Sequence, residues 1–281
     1  MSASLNPYIT TFDAGFDVEK SAQYRLTTQL ALGGLSFALF DTSKTRLVGL
    51  EYYQSDLLAD SNDLFRTLEK ALDTKGLNNS TFQSIDCIID DRTNALVPKT
   101  LFNPADNDKW LNFSFNLPKD HITMHEMLER LEVVNVFGFP NALQAKIKAK
   151  WPKANIRHSS SVFLNSLPTS EKSTVWINVR KSDFDMAIMK DKLMFFNNFR
   201  FKTKEDFAYF LLFAMEQNNL SGENTPVHFS GLLLPSSRII GLCKRYICDI
   251  HFMGKPKELQ VSEAFNEVPY PYYHIHYQAI R

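Results

Sequence analysis

No stretch of this 281-residue chain approaches the roughly 18 consecutive apolar residues that a membrane-spanning helix needs. Nor does a basic segment followed by an apolar run stand at its N-terminus, so the expectation is a cytoplasmic protein with no membrane insertion. Net charge is missing too. Lys and Arg total 31 against 31 Asp and Glu, which leaves no overall field to draw the chain to a polyanion and disfavours a nucleic-acid partner. Cysteine is scarce: Cys87, Cys243 and Cys248 are odd in number, so at least one stays unpaired, as suits a reducing compartment. All three sit in apolar surroundings, and Cys243 and Cys248 read as small buried hydrophobes. A Gly-x-Ser-x-Gly nucleophile motif and a lysine-bearing phosphate loop are both absent, which removes the common signatures of acyl and phosphoryl transfer. What is present is core: 44% hydrophobic and 13% aromatic residues suffice for one large domain or two smaller ones.

The stretch from Val175 to Glu216 organises the rest. Val175, Ile177 and Val179 alternate with Trp176, Asn178 and Arg180, and Phe184, Met186 and Ile188 alternate with Asp185, Ala187 and Met189, the period of a pleated strand. After the polar break Lys190-Asp191-Lys192, Leu193 to Phe201 makes a third strand. Thr203 with Glu205 and Asp206 then opens a helix by placing acidic groups at its positive end. The same β-β-β-α order recurs from Leu26, with Gly33-Gly34 and Asp41 to Thr45 as turns, Arg46 to Tyr53 as third strand, and Ser61 with Asp63 capping a helix to about Leu72. An offset of 147 residues lays Phe37 on Phe184, Leu30 on Ile177, Leu32 on Val179, Ser36 on Asp183 and Leu39 on Met186. Identity between the two stretches is low, so apolar phase and turn position are what repeat. Two unrelated meanders are the alternative.

Elsewhere, residues 1–23 read as an extended arm, Ile85 to Ile89 and Ala95 to Pro98 as strands, and Trp110 to Phe115 as an edge strand. Ile122 to Leu131 has helical spacing, Val133 to Phe139 is an apolar strand closed by Pro140, and Asn141 caps a helix that Pro152 stops. A short strand at Ile156 to His158 and a short helix at Ser159 to Leu167 precede Pro168 to Lys172, the seam between a first half at 24–170 and a second at 171–281. Val227 to Phe229 reads as a strand, Pro235 to Tyr246 as a helix, Ile247 to Phe252 as a strand, and the tail as aromatic and proline-broken. The fold class is α/β, two repeated mixed-sheet halves with flanking helices.

Two such units resemble the actin-like ATPase (ribonuclease H-like) fold of actin, sugar kinases and heat-shock chaperones. The order of Leu30-Ala31-Leu32-Gly33, Leu96-Val97-Pro98, Val133 to Pro140 and Ile156 to Leu167 is similar to the actin-like proteins of type IV pilus and type II secretion assembly. Over about residues 24 to 277 the chain resembles an uncharacterised bacterial domain-of-unknown-function family assigned this fold. The resemblance implies a first turn of aspartate, apolar residue and glycine, the acid holding hydrated magnesium and the glycine admitting phosphate to backbone N–H groups. Here that turn is Ala31-Leu32-Gly33, followed by Gly34, and its counterpart is Asn178-Val179-Arg180, so both magnesium-side acids are missing. Ser230-Gly231 keeps half of the glycine pair that lies under adenosine in the family. The nucleotide-side residues implied are therefore Gly33, Gly34, Asn178, Arg180, Lys181, Ser230 and Gly231. Losing the metal ligands removes most of the charge neutralisation on which phosphoryl transfer depends. The expectation is a pseudoenzyme that binds an unknown protein partner, or ATP or ADP without turnover. An active ATPase or kinase with atypical phosphate residues is the alternative, and a filament subunit a third; oligomeric state is left open.

Other features are weighed against plainer readings. Arg180-Lys181 beside Ser182-Asp183 would suit an anion, but a solvated turn is favoured. Lys146, Lys148, Lys150, Lys153 and Arg157 read as a solvated face rather than a polyanion patch. His121 and His125, with Glu126, read as one helical face rather than metal ligands, and His274 and His276 as alternating along a strand. Cys243 and Cys248 fit neither a redox pair nor a zinc knuckle. Phe195, Phe196, Phe199, Phe201, Phe207, Tyr209, Phe210 and Phe213 exceed what one sheet face needs; most belong to a core, and the excess, like the tyrosines from Tyr270 to Tyr277, suits a partner surface.

Overall fold

A computed structural model describes residues 6–43, 45–55, 58 and 60–281. Met1 to Leu5 of the expected arm and Lys44 of the expected turn lie outside the described residues. Contacts divide the chain into two compact units, Met1–Val162 with Pro256–Glu267 and His276–Arg281, and Phe163–Lys255 with Val268–Ile275. The tail, assigned from sequence wholly to the second half, is thus shared between them.

In the first unit, β1 (Ile9–Phe12), β2 (Tyr24–Ala31), β3 (Gly34–Asp41), β4 (Arg46–Gln54), α1 (Ser61–Thr74) and β5 (Ser84–Ile89) come first in the chain. They are followed by β6 (Asn94–Pro98), α2 (Asn107–Ser114), β7 (His121–Leu128), β8 (Val133–Pro140), α3 (Asn141–Lys150), β9 (Asn155–His158) and α4 (Ser159–Ser166), the last running into the second unit. The main sheet has the order β1-β4-β3-β2-β5-β9, with β2, β5 and β9 parallel and the meander antiparallel. β6-β8-β7 form a separate antiparallel sheet. Burial of both faces explains the nearly unbroken apolar run of β3, whose Phe37, Leu39 and Phe40 are all fully buried. On α1 the Asp60 carboxylate accepts the N–H groups of Asn62 and Asp63, both at 2.8 Å, while Leu64, Leu68 and Leu72 face the core.

The second unit repeats the plan. β10 (Thr174–Val179), β11 (Asp183–Met189), β12 (Leu193–Arg200), α5 (Lys204–Gln217) and β13 (Val227–Gly231) are followed by α6 (Arg238–Cys243), β14 (Ile250–Phe252) and α7 (His274–Ala279), whose last residues belong to the first unit. The sheet order is β12-β11-β10-β13-β14, with β10 antiparallel to β11 and parallel to β13, just as β2 is antiparallel to β3 and parallel to β5. A capping box starts α5: Thr203 Oγ1 accepts the Asp206 N–H and the Asp206 carboxylate accepts the Thr203 N–H, both at 3.1 Å. Phe207, Leu211 and Met215 on α5 cover Ile177, Phe184 and Met186 of the sheet.

Several expected elements differ. Trp110 to Ser114 is helix, in α2, with Phe115 extended at its end, and Phe113 is 91% exposed, so this stretch is not the edge strand expected. His121 to Leu128 is strand, decided by pairing with β8 along its full length. Asn141 makes no cap bond; it follows the cap position, Pro140. Asp60, not Ser61, caps α1. His274 and His276 lie on α7, where His274 to Tyr277 are all buried and no periodicity survives to be read. Part of the arm is β1, paired with β4. Cys243 is buried, but Cys248 is exposed. Among the described residues no helix is long and apolar enough to cross a membrane.

Within the first unit His276 joins two strands: its Nδ1 lies 2.8 Å from Thr27 Oγ1 on β2 and its Nε2 2.7 Å from Ser36 Oγ on β3. In the second, His274 lies 3.0 Å from the Tyr270 hydroxyl and 3.2 Å from Ser166 Oγ. Burial holds both imidazoles down from 6.5 to about 3, so they stay neutral in the folded chain. Once unfolded they regain the ordinary value and bind protons that the folded chain refuses. This contribution is complete above pH 6.5 and is lost as pH falls from there toward about 3, by up to about 1.4 kcal/mol per pH unit for each imidazole. The thermal midpoint should therefore fall between about pH 6.5 and about pH 5. His276→Gln should lower the midpoint at neutral pH but flatten that decline, and parallel declines in the two proteins would refute the assignment.

Candidate functional site

Ligands of open α/β sheets gather beyond the carboxyl ends of parallel strands. In the second unit that region follows β10 and β13 and contains Asn178, Arg180, Lys181, Ser230 and Gly231. Register places Asn178 between Asp185 on β11 and Ser230 on β13, with Asn198 on β12 beyond Asp185, so four polar side chains cross the sheet in one row. Asn178, Asp185 and Ser230 are almost wholly buried. Ser230 Oγ lies 3.2 Å from Asn178 Oδ1 and 3.1 Å from the Ile177 carbonyl oxygen.

Arg180 follows β10 directly and is only 8% exposed. It turns back over its own hairpin. Nη1 and Nη2 donate to the two Asp185 oxygens at 2.8 and 2.9 Å, and Nε donates to Asp183. Asn198 Nδ2 donates to Asp185 at 2.9 Å and to Asp183 at 3.4 Å. The guanidinium thus faces two carboxylates of its own hairpin, in the planar two-pronged geometry that arginine otherwise offers to a phosphate. Lys181 is exposed at the tip.

Gly231 must be glycine. Its φ is +82°, and an added Cβ would stand 2.1 Å from the Val179 carbonyl oxygen. That oxygen accepts the Leu232 N–H at 2.7 Å, so the chain leaving β13 closes over the end of β10.

The corresponding turn of the first unit, Ala31 to Gly34, is closed by backbone. Gly33 has φ +84°; its N–H donates to the Leu58 carbonyl at 2.9 Å and its carbonyl accepts from Ser55 at 3.1 Å. Gly34 has ordinary room for a Cβ. Leu32 projects at the apex, 60% exposed. Asp90, absent from the residues expected at the site, directly follows β5 beside β2, is 8% exposed and accepts the Gln29 amide at 2.7 Å. Its signal in the sequence is an acid immediately after the Ile85 to Ile89 strand.

Magnesium and ATP, the groups that the fold implies, fit these turns poorly. Gly33 has its N–H engaged by Leu58, Arg180 has its charge answered by Asp183 and Asp185, and Ala31 supplies no carboxylate. The remaining candidates are spread through the fold. His125 packs on Phe102 with its Nδ1 3.2 Å from the Asn107 amide, while His121 faces Asp120. Lys148 donates to the Ala154 carbonyl, Lys150 to Asn78, and Arg157 to Glu126, so the basic strip is largely tied down. Among the described residues no three His, Cys, Asp or Glu side chains gather as a metal site. Burial raises the Cys87 thiol to about 12 and that of Cys243 to about 11, which leaves both protonated and unreactive.

Residues 13–250 match the family described as Protein of unknown function (DUF3822). Among solved structures, a Bacteroides thetaiotaomicron protein with actin-like ATPase fold and unknown function superposes with a TM-score of 0.73 at 19% identity, covering 85% of this chain and 93% of that one. The PilM-PilN type IV pilus biogenesis complex gives 0.62 at 10% identity over 92% and 98%. The cytoplasmic domain of EpsL, an inner membrane component of the Vibrio cholerae type II secretion system, gives 0.47 at 12% over 79% and 93%. No curated protein matches the sequence. The chain has the actin-like ATPase fold.

Removing Arg180 alone strands Asp185, which is fully buried, without its counter-ion. Arg180→Met should cost about 3–5 kcal/mol in urea unfolding, and Asp185→Asn in the same chain should return part of that loss. Additive losses in the double variant would show that the pair is not coupled.

Proposed function

We propose that this chain, which belongs to the DUF3822 family of proteins of unknown function, is a non-catalytic actin-like protein that works by binding a protein partner. The observation that carries the reading is the Arg180 guanidinium bound to Asp185 through both of its oxygens and to Asp183. A turn that served a nucleotide would keep its cation for the phosphates, whereas here two carboxylates of the same hairpin neutralise it and would repel a further anion. The first turn supports the reading from the other unit, since the Gly33 N–H already has a carbonyl acceptor. Actin-like architecture without a nucleotide-gripping turn leaves surfaces as the means of action. The pilus structure it resembles is itself a complex of two proteins, which favours a protein partner over a small ligand.

One observation favours the alternative, an active ATP-binding enzyme. Asp90 places a carboxylate at the carboxyl end of β5, beside the first turn, where a hydrated metal would be met. The two readings separate on two measurements. With magnesium and ATP, phosphate release should equal that of a protein-free blank, and calorimetry with ATP or ADP should register no magnesium-dependent heat. A turnover of about one per second, abolished by Asp90→Asn, would install the enzyme instead.

A further inference from the structure

The internal repeat shows what covers a meander edge in one unit and is missing from the other. In the first unit the third meander strand, β4, is not an edge: Ile9–Phe12 adds to it antiparallel, with Ile9 opposite Tyr52 and Phe12 opposite Gly49. Backbone bonds continue to either side, from the Tyr8 N–H to the Tyr52 carbonyl at 2.7 Å and from the Asp13 N–H to the Val48 carbonyl at 3.0 Å. Phe12 settles on the core over Gly49, and Asp13 pairs with Arg46 at the start of β4.

β12 holds the same place in the second unit, and among the described residues it pairs with β11 alone. It is an unguarded edge. Sheet edges are commonly blunted by proline, central charges, bulges or shortness; β12 is an eight-residue strand, LMFFNNFR, free of proline and with its one charge at the last position, and its one bulge, at Met194, lies near its start and leaves Phe195 to Arg200 in regular register. Its aromatic residues continue into a ladder that reaches the surface of α5. Between ring centroids, Phe195 lies 6.4 Å from Phe199 and Phe199 lies 5.4 Å from Phe210, while Tyr209 meets Phe210 at 5.4 Å and Phe213 at 5.8 Å. Tyr209 and Phe213 are 61% and 44% exposed. Exposed cations lie at both ends of the strand, Lys190 and Lys192 before it, Arg200 as its last residue and Lys202 after it, against Asp191 in the connecting turn.

We propose that β12 is a docking edge for an extended segment of a partner protein, added antiparallel as Ile9–Phe12 is added to β4, with apolar side chains resting on the aromatic ladder and a carboxylate after them meeting Lys190 and Lys192. The ladder supplies apolar contact area, the open strand supplies backbone donors and acceptors, and the lysines select an acidic end. The inference rests on the reading of the chain as a binding protein and gives that reading a surface.

The chain's own Asn6 to Phe16 has the required pattern, so the probe is a fluorescein-labelled peptide of that sequence, NPYITTFDAGF, titrated into the full chain. Anisotropy should report micromolar binding, and hydrogen exchange should slow across Leu193–Arg200. Lys190→Glu with Lys192→Glu, and separately Tyr209→Ser with Phe213→Ser, should each weaken binding about tenfold with the unfolding midpoint unchanged, because all four side chains are exposed. No binding, or protection at Arg46–Gln54 in place of Leu193–Arg200, would overturn the proposal. So would a concentration-dependent dimer already protected at Leu193–Arg200, which would make a second copy the occupant. None of these results bears on the ATP measurements, which test the non-catalytic reading by themselves.

Discussion

The second unit depends on the contact between Arg180 and Asp185. Taking a guanidinium and two carboxylates out of water costs several kcal/mol per ion, returned only when geometry is good and the remaining lone pairs are met. Two parallel donations at 2.8 and 2.9 Å, the donation to Asp183 and the Asn198 amide meet those terms. With the hairpin tip fixed, the Val179 carbonyl is held where it receives the Leu232 N–H, and Gly231 is forced into its left-handed backbone to pass over it. One ion cluster therefore settles how β10, β11 and β13 end, the very place where a ligand of this fold would be met.

The sequence offset of 147 lays Gly33 on Arg180, Ala31 on Asn178, Ser36 on Asp183 and Ala38 on Asp185, but the hairpin registers differ, since Leu30 stands opposite Leu35 whereas Ile177 stands opposite Met186. Each unit closes its turn by a different device. In the first, a glycine with φ +84° has both backbone groups taken by Ser55 and Leu58; in the second, a side chain bound to local carboxylates closes it. What the repeat preserves is the arrangement of one antiparallel and one parallel neighbour about a central strand. The polar chemistry has diverged: the first unit buries Thr27 and Ser36 against His276, the second buries an arginine against acids.

Much of the fold was legible in the sequence because the meanders are set by two-residue alternation and by local turns, and both units have β-β-β-α as read. The failures have physical causes. The pairing of β7 with β8 is non-local, so His121 to Leu128 is strand in spite of its helical spacing. In Trp110 to Phe115 an exposed phenylalanine passed for an apolar strand residue, and α7 is buried from His274 to Tyr277, which erases the helical period. Cys248 sits among Arg245, Tyr246 and Asp249 and follows those polar neighbours to the surface.

The hydrogen bonding of the candidate residues was not legible in the sequence. The resemblance pointed to Asn178, Arg180, Ser230 and Gly231, but nothing in Arg180-Lys181-Ser182-Asp183 tells whether the guanidinium points to solvent or back onto Asp185 five residues on. That choice is made by Asn198 and by the burial of β11, contributions from another strand and from the packed sheet. A turn must satisfy the polar groups it buries, and that demand by itself fixes no motif. Any internal partner of suitable charge and reach will do, and the glycine at position 33 and the arginine at position 180 are two such solutions to one constraint.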